Sequence, residues 1–164
     1  MANADRPNGF EPILLISSRP YNADAGDSTA VFINDVVEAE ADGNISPAAA
    51  GSVLILGAAL DYSAASTANL VAVADSPMQE FHAQDDAGAT LTQAALFTNC
   101  NHVAGAGSTT TLHSAHELDS ANLVTSTAGF QLLDIVSNVD NAAGDNAVYR
   151  VVCKEHMGLD QIGV

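Results

Sequence analysis

The sequence is poor in cations, because only four Lys and Arg residues stand against twenty Asp and Glu residues, for a formal net charge of −16. Nucleic-acid backbones bind clustered cations, and anionic lipid headgroups repel negative charge. No stretch approaches the roughly 18 continuous apolar residues of a membrane span. Residues 1–10 (MANADRPNGF) lack the basic and apolar regions of a secretory signal. We therefore expect a soluble protein, made without Sec export, that binds neither nucleic acid nor membrane.

Large side chains are also scarce. Trp is absent and aromatic residues make up 5% of the chain, whereas Ala and Val dominate the 48% that is hydrophobic. Small side chains bury little area, at roughly 25 cal/mol per Å² of apolar surface. The composition of this 164-residue chain thus predicts one domain with a thin core that gains from association with other subunits. The two cysteines, Cys100 and Cys153, are expected to be free thiols.

Short apolar runs separated by turn-forming residues indicate a mainly β fold. The predicted strands lie in residues 29–40, 52–62, 69–74, 78–84, 129–137 and 147–154. Gly57 suggests a bulge where backbones approach closely, and the Asp75-Ser76-Pro77 turn suggests a hairpin. A capping box at Thr90 predicts one short helix. We expect a small antiparallel β-barrel or sandwich with one short helix.

The organisation along the chain follows from the prolines. Pro7, Pro12 and Pro20 favour an extended N-terminal arm over residues 1–26, which contains the apolar segment PILLI at residues 12–16. That segment could be a buried edge strand or an anchor on another molecule. We assign residues 27–155 to a β-rich domain and residues 156–164 to a loosely held C-terminal tail.

Enzyme signatures are absent, since the sequence has no G-x-S-x-G elbow, phosphate loop or dinucleotide fingerprint. We therefore expect no catalytic residue and no cofactor. Three polar groupings contain residue types that bind metal ions, although turn-forming residues explain the first and third more simply, and residues that never meet in space explain the second. They are a zinc site at His113, His116, Glu117 and Asp119, a second at Cys100, His102, Cys153 and His156, and calcium-binding loops at Asp42, Asp85, Asp86 and Asp145.

Several motifs together resemble one family. They are the opening MANADRPNGF with Pro20 and Tyr21, then ADSPMQEFHAQDD at residues 74–86, HELD at residues 116–119 and DNAAGDNAV at residues 140–148. In this order they resemble the head decoration, or cement, proteins of tailed bacteriophages. The resemblance implies a non-enzymatic virion protein, made in the host cytoplasm, that trimerises on the outer surface of an HK97-type capsid.

The resemblance also implies which residues bind partners, namely the major capsid protein and other copies of the chain. The arm would reach the partner through Arg6, Phe10, Pro12, Ile13, Leu14 and Leu15, adding a strand to the partner's sheet edge. Within the central motif, we expect Phe81 to anchor the hairpin, with Gln84, Asp85 and Asp86 shaping its turn.

Other functions fit the same composition. A tail-tube or head-completion subunit is a second structural possibility. A calcium-dependent glycan-binding module on the virion surface would use the Asp-rich loops, and a zinc hydrolase would use His113, His116 and Glu117.

Overall fold

The computed structural model describes residues 3–159, and the expectations for residues 1–2 and 160–164 lie outside this range. The described chain is mainly β, with two single 3₁₀ turns at Gln93–Ala95 and Ser120–Asn122. Its strands in chain order are β1 Glu11–Ile13, β2 Arg19–Asn22, β3 Val36–Ala39, β4 Ile45–Pro47, β5 Ile55–Ala59, β6 Leu70–Ala74, β7 Glu80–Gln84, β8 Asn99–Cys100, β9 His102–Val103, β10 Glu117–Leu118, β11 Phe130–Ile135 and β12 Val148–Cys153.

The strands form two five-stranded antiparallel sheets and a small ribbon. The first sheet has the order β1-β7-β12-β11-β8, the second has the order β2-β6-β5-β3-β4, and β9 pairs with β10. One hydrophobic cluster joins buried residues of both sheets. The predicted antiparallel, sandwich-like mainly β fold is therefore confirmed.

Four aromatic side chains gather at the centre of this sandwich. Phe10, Phe81, Phe130 and Tyr149 are buried there, and the rings of Phe10 and Phe130 lie 4.4 Å apart between centroids. Along β12 the side chains alternate between buried and half-buried positions, as expected for a strand with one face on the core. The interior therefore has a bulky aromatic centre surrounded by Ala and Val.

The second sheet is covered on both faces. Its outer face carries a second cluster that includes Val37, Leu56, Val71 and Val73, packed against Val31 from a loop. All residues of β5 are buried as a result, which explains why residues 52–62 read as a continuous apolar run rather than an alternating one.

Gly57 lies in the middle of β5, where the sequence predicted a bulge. The register with β3 shifts between Val37 and Glu38, opposite this glycine. Its φ is +153°, and a Cβ at this position would overlap the carbonyl oxygen of Ala74. The predicted bulge and close backbone approach are both confirmed.

The predicted hairpin over residues 69–84 is wrong. β6 belongs to the second sheet and β7 to the first, so the turn at residues 75–79 carries the chain from one sheet to the other. Residues 14–18 make the same crossing between β1, which pairs with β7, and β2, which pairs with β6. Two crossovers therefore lie side by side, and alternation along the sequence could not show that the strands change sheets.

The predicted helix at Thr90 is also wrong. Only the 3₁₀ turn Gln93–Ala95 forms, and its N-cap is Thr92, whose side chain accepts a hydrogen bond from the N–H of Ala94. Leu91 is buried in the core, and Phe97 adopts a positive φ of 67° before the chain enters β8. The segment is too short to offset the cost of starting an α-helix.

Both ends of the described chain lie against the domain. From Asn3 the N-terminal segment is extended, as expected for the arm, but it contributes the edge strands β1 and β2 to the two sheets. The expectation of a loose tail fails for its described start, because His156 is buried and the N–H of Met157 donates to the carbonyl of Ile55 at 2.9 Å.

Three of the four sheet edges carry a proline. Pro12 lies in β1, Pro20 in β2 and Pro47 in β4, and these strands are the outer strands of their sheets. Because proline has no N–H, the neighbouring residues make the ladder bonds and the proline faces outward. The fourth edge, β8, is covered by a two-way backbone pairing of Asn99 with Val124.

The proline edges correct the expectation that the arm adds a strand to a partner. β1 already pairs with β7 in its own domain. Its outward side lacks the central backbone donor at Pro12, so that a further strand could not complete its ladder there.

Candidate interaction surface

A group of exposed aliphatic side chains lies where the two crossovers meet. Leu14 is 88% exposed and Met78 is 70% exposed, and Leu15 and Ile16 are also exposed large hydrophobic residues. With Ile13 they form a surface that we call the apolar patch. A shallow groove of about 260 Å³ runs between Ile13, Leu14, Ile16, Met78 and Glu80. Adjoining exposed aliphatic side chains on a highly charged protein indicate a contact surface.

A buried glutamine holds the patch in place. Gln79 is fully buried, and its side-chain oxygen accepts from the N–H of Ile16 at 2.9 Å. Its amide nitrogen donates to the carbonyls of Ile13 at 2.9 Å and of Glu80 at 2.8 Å. One side chain therefore fixes both ends of the exposed turn, so that little conformational freedom is left to lose on binding.

Asp75 anchors the other half of the crossover. Its carboxylate accepts hydrogen bonds from the hydroxyls of Ser17 at 2.9 Å and Tyr21 at 2.8 Å, and Nε of Arg19 lies 3.0 Å from it. Burial, followed by the bond to Asp75, raises the pKa of Tyr21 to about 12. The apolar patch thus rests on a polar network whose members are paired with one another.

The backbone at the patch is strained. Leu14 has a φ of +48°, a region that residues other than Gly, Asn and Asp seldom occupy. The conformation turns the Leu14 side chain outward into solvent, where burial gives it no compensation within the chain. Strain kept at an exposed hydrophobic residue is typical of binding positions.

The structure separates the predicted partner-binding residues. Leu14 and Leu15 are exposed, Ile13 is half-buried, and Pro12 lies on the outward edge of β1. Phe10 is fully buried between the sheets, so that its side chain is closed to a partner and its assignment to the binding surface is wrong. Ile16, the last residue of the predicted PILLI anchor, is also exposed. Sequence reasoning missed Met78, because only the pairing of the two crossovers brings Met78 beside residues 13–16.

Arg6, the remaining predicted contact of the arm, is exposed. Its backbone N–H donates to the side chain of Gln84 at 3.0 Å, while its guanidinium makes no ion pair with an acidic residue in the described range. Its role in binding a partner stays a prediction.

The residues expected to shape a turn after Phe81 do organise the loops there, although the strand they follow is not part of a hairpin. Phe81 is buried. Gln84 donates to the carbonyls of Ala4 and Asn146. Asp85 accepts from the N–H groups of residues 87, 146 and 147, and Asp86 accepts from the N–H groups of residues 88 and 120. These carboxylates therefore hold the backbone of the loops in place.

An acidic cluster lies beside this loop. Burial raises the pKa of Glu117 to about 7, with nearby Asp5, Asp86 and Asp85 adding to the effect. Between the ordinary pKa of 4.5 and about 7, the folded chain therefore keeps a proton on Glu117 that the unfolded chain has released. Stability from this group is present at low pH and is lost as pH rises through that window.

We expect the substitution Glu117→Gln to flatten part of the pH dependence of unfolding, because it removes the group that takes up the proton. Urea unfolding of both proteins at about pH 5 and about pH 7.5 checks this. The stability gain of Glu117→Gln over wild type should be larger at the higher pH. A gain that is equal at both pH values would contradict the raised pKa of Glu117. The other titrating groups are the same in both proteins, so their contributions cancel in the comparison.

Three of the histidines in the predicted zinc sites, His102, His116 and His156, are buried. His116 is buried, its Nδ1 accepts from the N–H of Val36 at 3.2 Å, and its ring stacks on His102 at 5.2 Å. Burial lowers the pKa of His116 to about 3 and raises that of Asp35, whose carboxylate lies 3.5 Å from Nε2 of His116, to about 6. Residues 3–159 contain no group of three or more side chains placed to hold a metal ion.

The two cysteines are free, as predicted, and the structure places both in buried positions. Cys100 and Cys153 pair with Phe130 from the two sides of β11. Burial raises the pKa of both thiols to about 12, so they serve as small core residues and not as nucleophiles.

Across the described residues, none of the helical segments has the length and apolarity that crossing a membrane requires. Comparison with protein-family models, curated proteins and solved structures finds no match to this chain.

Proposed function

We propose that this chain is a virion structural protein that decorates the outer face of an assembled phage head and stabilises the junctions between capsomers. The resemblance of the sequence motifs to phage head decoration proteins supports the assignment to the capsid. The rigid, exposed apolar patch is the observation that supports a docking role. Burying the patch on an assembled shell, but not on dissociated subunits, would raise the stability of the shell by mass action. Repetition over many sites multiplies the effect.

A homotrimer is part of this proposal. Phe97 supports a second contact surface, because it is 72% exposed, has a positive φ of 67° and precedes β8, at the opposite edge of the first sheet from β1. A bulky aromatic residue kept in this conformation in solvent is a candidate for subunit contact. The apolar patch is then free to face the shell.

The binding test uses heads purified from the virus that encodes this chain, prepared without it. We expect the double variant Leu14→Ser, Met78→Ser to bind these heads at least about 30-fold more weakly than wild type, since removing a central anchor costs about 2 kcal/mol. Co-sedimentation over a concentration series measures the affinity. Heads should also resist heat better with wild-type protein than with the variant.

The matched control is Leu70→Ser, which removes another exposed leucine from β6, outside the patch. Its affinity should stay within about two-fold of wild type. If the double variant binds heads as well as Leu70→Ser does, the patch is not the docking surface. Imaging that locates the chain in the tail would instead support a tail-tube or head-completion subunit.

A further inference from the structure

The charges that border the apolar patch bear on the chemistry of its partner. Glu11 lies two residues before Ile13 on β1, on the same face of the strand. Glu80 lies directly opposite Ile13 in the register and lines the groove of the patch. The patch is therefore an aliphatic surface with carboxylates along one side.

The nearby cation does not neutralise this border. Arg150 reaches Glu80, with Nη1 to Oε2 at 3.5 Å, and also Asp134, with Nη2 to Oδ2 at 3.9 Å. One guanidinium is thus shared by two carboxylates, and Glu11 has no ion pair among the described residues. The face around the patch keeps an excess of negative charge, in line with the net charge of the chain.

These charges argue against a second copy of the chain as the occupant of the patch. A twofold contact would bring the patch against itself and would place Glu11 and Glu80 near their own counterparts. Like charges opposed across an interface cost several kcal/mol.

We infer that the surface covering the apolar patch is a protein surface with an apolar pocket bordered by Lys or Arg side chains. This inference rests on the proposed function for the existence of a partner and adds its chemistry. Aliphatic side chains held by Gln79 fill the pocket, while Glu11 and Glu80 meet the cations. Contact is made by side chains, because Pro12 faces outward on the adjacent sheet edge.

The probes are two synthetic amphipathic helical peptides with the same apolar face, one flanked by Lys and the other by Glu. Methyl NMR of Ile13, Leu14, Leu15 and Ile16 reports binding at the patch. We expect the Lys peptide to shift these methyls and the Glu peptide to leave them unchanged. The substitution Glu11→Lys should lower the affinity for the Lys peptide by about five-fold. Added salt should lower the affinity of the wild-type chain for the same peptide.

The control is Asp140→Lys, which changes the net charge equally at an exposed position in the connection between β11 and β12. It should keep the affinity within about two-fold. Three results would overturn the inference: equal weakening by both substitutions, equal binding of both peptides, or patch methyls that shift with protein concentration alone.

Experiments on heads separate this inference from the proposed function. If the Lys peptide binds at the patch while purified heads do not bind the chain, the decoration role fails and the partner chemistry stands. If heads bind wild type and Glu11→Lys equally well, the decoration role stands and the partner chemistry fails.

Discussion

Replacing Gly57 with Ala should lower the free energy of unfolding by about 4 kcal/mol or more, because the added methyl group has no room beside the neighbouring strand. The added Cβ would overlap the carbonyl oxygen of Ala74, a backbone atom in the neighbouring strand. β6 cannot move away to make room, since β5 and β6 are packed between two hydrophobic clusters. Urea unfolding followed by circular dichroism measures the loss.

Gly144 offers a matched control for this substitution. Its φ is +143°, close to the +153° of Gly57, but a Cβ there would meet nothing within 4 Å. Gly144→Ala therefore carries only the backbone strain, about 1 kcal/mol, and the difference between the two variants measures the steric contact. Equal losses would show that β5 and β6 can separate. If Gly57→Ala fails to form β structure while Gly144→Ala folds, the prediction is also supported, because the loss of stability then exceeds the stability of the domain.

Removing the carboxylate of Asp85 should cost about 3–5 kcal/mol, because each buried donor left without a partner costs about 1–3 kcal/mol. Asp85 is fully buried. Its Oδ2 accepts from the N–H of Ala147 at 2.8 Å, and its Oδ1 accepts from the N–H groups of Ala87 at 2.9 Å and Asn146 at 3.2 Å. In the folded state, Asp85→Ala leaves all of these donors unpaired. Urea unfolding at neutral pH measures the resulting loss of stability.

Two further variants define the origin of that loss. Asp85→Asn keeps one acceptor oxygen and should lie between wild type and Asp85→Ala. Asp140→Ala removes a carboxylate from an exposed position and should change stability by less than about 0.5 kcal/mol. An Asp85→Ala protein within about 1 kcal/mol of wild type would mean that water replaces the carboxylate and that Asp85 does not organise the loops.

Local chemistry in the sequence was enough to predict some features. Gly57 stood alone in an apolar run, which left a bulge or a close approach as its explanation, and both are present. β11 and β12 followed from their alternation and from the turn at residues 138–146, since consecutive antiparallel strands need only a local connection.

Other features depended on long-range placement. The alternation of β6 and β7 says which residues face a core but not which sheet each strand joins, so the crossover read as a hairpin. Nothing local in the sequence marks Gln79, which is fully buried and bonds to residues more than sixty positions away. Within the site, Leu14 and Leu15 were foreseeable as an unusual aliphatic pair in a polar segment, whereas Met78 was not.

The prolines at the sheet edges have a consequence for how the chain behaves when it is crowded. A decorated shell would gather many copies at short spacing, conditions under which open strand edges recruit one another into fibrils. Pro12, Pro20 and Pro47 interrupt the row of N–H donors on three outer strands. Neighbouring copies can then lie close together without forming continuous cross-β assemblies. Side-chain contacts, and not backbone pairing, then determine which surfaces associate.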